Sequence, residues 1–165
     1  EWYMSIDHGW NNPTAILWHA VAPNGEIVTF AEHYASNMTV AEHAQVIHER
    51  ESAWGKEADI RTGDPALRQT SGITGTSVLQ AYAEHGVYIA VEGVPRSVVV
   101  GIEKMQGYMR IRANDTPTWT VTENCVNLIR ELKKLRWATY SSDKQAYAMN
   151  KQEEIHKNGC TMAML

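Results

Sequence analysis

Two aspartates, Asp7 and Asp64, each close a short run of strand character and stand at the head of a turn, His8-Gly9 after the first and Pro65-Ala66 after the second. In open α/β sheets ligands bind outside the carboxyl ends of the strands, so an acid at such an end is presented on a rigid element beside its neighbours. Carboxylates held together repel unless a cation lies between them, and hard oxygen donors of this kind select Mg2+ or Mn2+ over zinc. Two such ions about 3.5–4 Å apart can activate a water and stabilise the leaving oxygen of a phosphodiester. Asp at the head of a turn is equally at home as a plain turn or capping residue. Spacing alone leaves both readings open.

The elements needed to position the pair follow from periodicity. Trp2, Met4 and Ile6 alternate with Tyr3 and Ser5, which predicts a strand ending at Asp7. Residues 14–22 and 27–34 predict two more strands. The Asn24-Gly25 pair between them predicts a type I′ hairpin turn, so the first three strands form an antiparallel meander. Thr39 with Glu42 is a capping-box signature, and Val40, Ala44 and Ile47 give an apolar stripe for a helix to about Ser52. A strand over 58–62 leads to Asp64, and a Gly, Ser and Thr-rich loop follows from Arg68 to Gly75. Further helices are predicted from Thr76 or Ser77 to Gly86, from Ser97 through Ile102, Met105 and Met109, and over 124–134; strands are predicted at 87–91, 119–122 and 137–140. The result is a mixed α/β sheet.

The chain has 165 residues, 44% of them hydrophobic, enough for one domain with a core. No run approaches the roughly 18 apolar residues of a membrane span, and Glu1-Trp2-Tyr3-Met4 has neither a basic start nor a cleavage pattern. Cys125 and Cys160 lack metal-type spacing and are expected to be free thiols. The net charge of −4 argues against a uniformly basic nucleic-acid coat. Its distribution is uneven: residues 1–103 hold 5 Lys/Arg against 13 Asp/Glu, residues 104–165 hold 10 against 6. An acidic half facing a basic half suits a protein that holds metal with one part and phosphate with the other. A chance spread of surface charge accounts for it as well.

The run Asp7-His8-Gly9-Trp10-Asn11-Asn12-Pro13-Thr14-Ala15 resembles the D-x-G-x-x-N-P-T-A opening of the nuclease domain in tailed-phage large terminase subunits. Gly63-Asp64-Pro65-Ala66 is similar to that family's second acidic motif. Thr74-Gly75-Thr76-Ser77, Tyr82-Ala83-Glu84-His85-Gly86, Gly101-Ile102 and the segment from Asn124 to Leu132 follow its middle and late parts, so the resemblance runs over residues 3–157. The resemblance implies an RNase H-like fold: a mixed sheet of three antiparallel then parallel strands, flanked by helices. It implies metal-dependent cleavage of concatemeric double-stranded viral DNA during genome packaging, with two Mg2+ or Mn2+ ions held by Asp7 and Asp64. It further implies a domain of a larger protein with an N-terminal ATPase domain, acting with a small terminase subunit and portal in the host cytoplasm. The absent initiator Met agrees with an excised domain. The departure is at the end: the family closes with a Lys and an Asp-rich segment carrying a third metal ligand, whereas Asn158 to Leu165 contains no acid. Asp143 and Glu154 are the nearest acids that can take its place.

Around the acids, His8 borders the proposed site and can orient water or phosphate, or be incidental to it. Glu32, ending the third strand, suits a structural or supporting role. Arg68, Lys104, Arg110, Arg112, Lys133, Lys134 and Arg136 are the candidate DNA-facing residues. His43 and His48 are five apart and not the four of a helical H-E-x-x-H zinc motif, and no G-x-x-x-x-G-K-[ST] phosphate loop exists. The principal alternative is a nuclease-like module that grips DNA or packaging proteins without cutting. A junction resolvase or integrase of the same fold class requires a different arrangement of acids.

Overall fold

The structure, a computed structural model, describes residues 1–70, 72, 75–93 and 98–135. Strands β1 (Trp2–Asp7), β2 (Thr14–Val21) and β3 (Ile27–Ala35) form the antiparallel meander. Helix α1 (Val40–Trp54) leads to β4 (Ile60–Gly63), which pairs parallel to β1. A short 3-10 helix (Pro65–Arg68) and helices α2 (Val78–Glu84) and α3 (Val98–Met109) precede β5 (Trp119–Val121), which pairs parallel to β3; α4 (Val126–Lys134) follows. The five-stranded order is β4-β1-β2-β3-β5, an RNase H-like mixed sheet. The strand expected at 137–140 lies outside the described residues, as do Ser97, Arg136 and Cys160. Cys125 is buried and free.

Strand alternation divides the core into two faces. Met4, Ile6, Ile16 and Trp18 pack with Ala44 and Ile47 of α1, Tyr82 of α2, and Val87 and Ile89. Ala15 and Leu17 point the other way and pack with Met105 of α3, Trp119, and Cys125 and Leu128 beside and within α4. Asp7, next to Ile6 in an alternating strand, therefore lies on the α3/α4 face.

Local chemistry explains most elements and corrects two. The capping box of α1 forms between Thr39 and Glu42, and Ser77, with Gln80, caps α2. The Pro23-Asn24-Gly25 turn is not type I′: the Gly25 amide donates to Ala22 O at 2.9 Å, and positive φ occurs at Gly25 (82°) but not at Asn24. Pro23 fixes a negative φ at the first central position, which selects a type I turn followed by a left-handed glycine. The strand expected at 87–91 reduces to a single parallel bridge between Thr62 and Ala90. Its partner β4 is only four residues long, and Gly93 (φ 76°) turns the chain away shortly afterwards, although Val87, Ile89 and Val91 still bury their side chains.

The helix stripe also buries polar groups. Glu51 accepts from Trp18 Nε1 (3.2 Å), the Ala58 amide (3.3 Å) and Arg61 (2.5 Å), and the Arg61 side chain is only 11% exposed. His43 is fully buried, with Nδ1 2.9 Å from His33 Nε2. On the other face His19 bridges Ser5 and Thr29, at 2.9 Å each. Burial is the leading cause that lowers His19, His33 and His43 to about 4; Arg50 adds to the effect at His33, and His33 adds to it at His43. The unfolded chain protonates these imidazoles near pH 6.5. Between about pH 6.5 and 4 it binds more protons than the folded chain, so their contribution is intact above 6.5 and is lost as pH falls. The thermal midpoint is expected to drop between pH 7 and pH 5, followed by circular dichroism; an unchanged midpoint contradicts the burial of these groups as neutral imidazoles.

Candidate functional site

The paired register Ile6↔Gly63 sets the residues that follow, Asp7 and Asp64, side by side at the carboxyl ends of adjacent parallel strands. Neighbouring strands are about 4.8 Å apart, so the two residues follow directly on neighbouring paired positions. Gly63 makes this possible. A Cβ there would meet Leu67 Cδ1 at 2.6 Å, so only glycine lets the 3-10 helix fold back under the sheet while Asp64 stands at its N-cap. Asp64 Oδ1 accepts from the Ala66 amide at 2.6 Å. That bond fixes the rotamer and occupies one of the roughly four acceptor positions of the carboxylate. The turn role and the ligand role are thus compatible in one residue.

The loop after Asp7 is tied down by its own sequence. Thr14 Oγ1 donates to Gly9 O (2.8 Å) and accepts from the Gly9 amide (3.1 Å), and the Asn37 amide donates to Trp10 O (2.9 Å). A Cβ at Gly9 would lie 2.4 Å from Asn12 O. Gly9 and Thr14 of the opening motif are therefore explained by loop geometry. Ala15, fully buried, faces Asp7 in the β1–β2 register.

The supporting residues are placed as follows. His8 Nδ1 lies 3.2 Å from both Tyr82 Oη and Thr14 Oγ1, with its ring edge-on to His43 and Tyr82. Burial, then His43, lowers it to about 4, which leaves it a neutral donor or acceptor at neutral pH. Glu32 accepts from the amides of Asn127 and Leu128, 2.8 Å each, and so fastens the N-terminus of α4 to β3. Among the basic candidates, Arg68 pairs with Glu92 and Arg112 with Glu26 (2.7 Å). Lys104, Arg110, Lys133 and Lys134 are exposed, on or just after α3 and α4. These helices cover the sheet face on which the acids lie.

Tyr34 and its partners, which no motif in the sequence singles out, lie on the same sheet face as the acids. Tyr34 faces Ala15 across β2–β3, so Asp64, Asp7, Ala15 and Tyr34 make one row across the sheet. Tyr34 donates to the buried Glu131 of α4 at 2.5 Å, and the Arg130 guanidinium lies over its ring, 5.6 Å from the centroid. The partners are about a hundred residues apart, and the only sequence signal was an aromatic at the carboxyl end of a strand. Among the described residues no group of three or more His, Cys, Asp or Glu side chains is placed to hold a metal ion. Asp143, Glu154 and everything after Lys157 lie outside the described residues. The oxygen-only donor pair and its strand-end placement fit a hard divalent cation.

A mixed sheet with an antiparallel meander and a parallel fourth strand is the arrangement of the RNase H-like fold. Within that class the chain has the fold of phage large-terminase nuclease domains. The large terminase of a thermophilic bacteriophage, solved in complex with ATP-gamma-S, superposes with a TM-score of 0.71 at 14% identity over 99% of this chain and 38% of that one. The P22 large-terminase nuclease domain gives 0.63 at 16% identity, covering 80% of this chain and 66% of that one. The nuclease domain of the large terminase from bacteriophage SPP1, solved with bound Mn, gives 0.61 at 14% identity, covering 86% and 72%. This chain spans little more than a third of the length of the thermophilic phage's terminase. No family model and no curated protein matches the sequence.

Proposed function

We propose that this chain is a metal-dependent endonuclease domain that cuts concatemeric double-stranded viral DNA during genome packaging. The carrying observation is the placement of Asp7 and Asp64 side by side at adjacent strand ends, on the face overlain by α3 and α4. The pair would hold Mg2+ or Mn2+, two ions by the family resemblance. Divalent ions, when bound, supply Lewis-acid activation of water and charge neutralisation at the leaving oxygen. The protein's own part is positioning: Ala66 fixes Asp64, the Gly9–Thr14 staple fixes the loop after Asp7, and His8 and Glu32 hold the surroundings. Lys104, Arg110, Lys133 and Lys134 meet the phosphate backbone, which allows binding with little base readout; Arg68 and Arg112 do so by exchanging a carboxylate partner for phosphate. In the whole protein the partners are an ATPase domain, a small terminase subunit and a portal, in the host cytoplasm. No helix among the described residues is long and apolar enough to cross a membrane.

A second reading, a DNA- or protein-gripping module that does not cut, draws on the described residues, among which no group of three or more His, Cys, Asp or Glu side chains is placed to hold a metal ion. Nicking of supercoiled plasmid in Mn2+ or Mg2+, abolished by chelation, decides between them: metal-dependent nicking supports the nuclease, and its absence with DNA binding retained supports the gripping module. Charge reversal at Lys133 and Lys134 is expected to weaken duplex binding about equally for unrelated sequences and to lower the salt slope by about 1 per lost phosphate contact. Fluorescence anisotropy at several salt concentrations measures both. Strong preference for one sequence, or no change on charge reversal, contradicts backbone gripping.

A further inference from the structure

We propose that Arg130, laid on the Tyr34 ring, is a phosphate-gripping residue that positions the DNA strand beside the acid pair; this rests on the nuclease reading above. Three observations carry it. The row Asp64, Asp7, Ala15, Tyr34 is set by strand register, so Tyr34 stands two strands from Asp7, about 10 Å at ordinary strand spacing. Along the axis of a DNA duplex that separation is about three base-pair rises of roughly 3.4 Å. Ala15 between them is small and fully buried in the cluster with Cys125 and Leu128, so the start of α4 packs down onto this row.

Helix α4 is held against β3 at two levels: the Glu32 carboxylate takes the Asn127 and Leu128 amides, and one turn further on Tyr34 donates to Glu131. The residue next to Glu131 is thereby delivered to the Tyr34 ring, where the Arg130 guanidinium stacks 5.6 Å from the centroid. Stacking orients a guanidinium without neutralising it. Arg130 is exposed and has no ion pair among the described residues, which distinguishes it from Arg68 and Arg112. A charged, planar donor fork held in place and facing solvent is suited to the two oxygens of a phosphodiester.

The test uses the full chain and a fluorescent duplex of about 30 base pairs as probe, with binding read by anisotropy in EDTA and cutting read separately in Mn2+. Arg130→Ala is expected to weaken binding about tenfold and to reduce the salt slope by about 1. In cutting it raises KM and leaves kcat near the parent value, the signature of lost uniform binding. Arg130→Lys keeps the charge but loses the fork and the stack, so the salt slope returns while affinity recovers only in part. The position is exposed, and unchanged thermal melts confirm that each variant folds. Unchanged affinity and slope in Arg130→Ala overturn the proposal, as does a parent chain that binds no duplex. A parent that binds but never cuts removes the nuclease reading and leaves the binding arm to stand or fall by itself.

Discussion

Asp7→Asn and Asp64→Asn are each expected to reduce plasmid nicking by roughly 10³-fold or more, with the fold retained. Both substitutions are nearly isosteric but remove the negative charge that a divalent ion requires, and groups that act as one unit lose most of their effect when either is removed. The double variant should therefore be scarcely worse than either single one. The amide introduced at position 64 can still accept from Ala66 through its Oδ1, so the 3-10 helix is kept and stability changes little. Nicking on gels, Mn2+ titration by calorimetry and a thermal melt measure the three quantities. A variant that binds metal and cuts like the parent removes its aspartate from the site.

Glu51→Ala is expected to cost up to about 3–5 kcal/mol of folding stability, because it leaves the largely buried Arg61 guanidinium with the exposed Glu57 carboxylate, 3.1 Å away, as its remaining ion-pair partner among the described residues. The carboxylate is 1% exposed and serves Trp18, the Ala58 amide and Arg61 together. Loss of that amount is a large fraction of the roughly 5–15 kcal/mol typical of a domain. The double variant Glu51→Leu with Arg61→Met removes both charges and should recover much of the loss. Urea unfolding gives the values; a cost below about 1 kcal/mol for Glu51→Ala shows that the pair is not sealed from water.

The contrast between these two sites shows what was legible in the sequence. Asp7 and Asp64 could be singled out because a strand followed by turn residues marks a strand end locally, and the surrounding motifs resemble a known nuclease family. That they are neighbours depends on β1 and β4 pairing in parallel with Ile6 opposite Gly63, a register between segments more than fifty residues apart. The helix α1 was legible from its capping box and apolar stripe, yet His43 and Glu51 are buried beside that stripe because of partners on β3, β2 and β4. Glu32 was expected to have a structural or supporting role; the structure adds that it serves α4, 95 residues away. Nothing local distinguishes Arg130 from Lys133 and Lys134 as basic residues of one helix, and its stack on Tyr34 is a tertiary fact. The type I′ turn expected at Asn24-Gly25 does not form because Pro23 overrides the preference of the pair that follows it.

Anomalous scattering from crystals soaked in Mn2+ tests the central claim most directly. Density is expected between the Asp7 and Asp64 carboxylates, within coordinating distance of both, lost in Asp7→Asn, and appearing at Mn2+ concentrations that support plasmid nicking. Density absent from that pair at such concentrations, or present only at other residues, would contradict a metal-dependent nuclease built on these two strand ends.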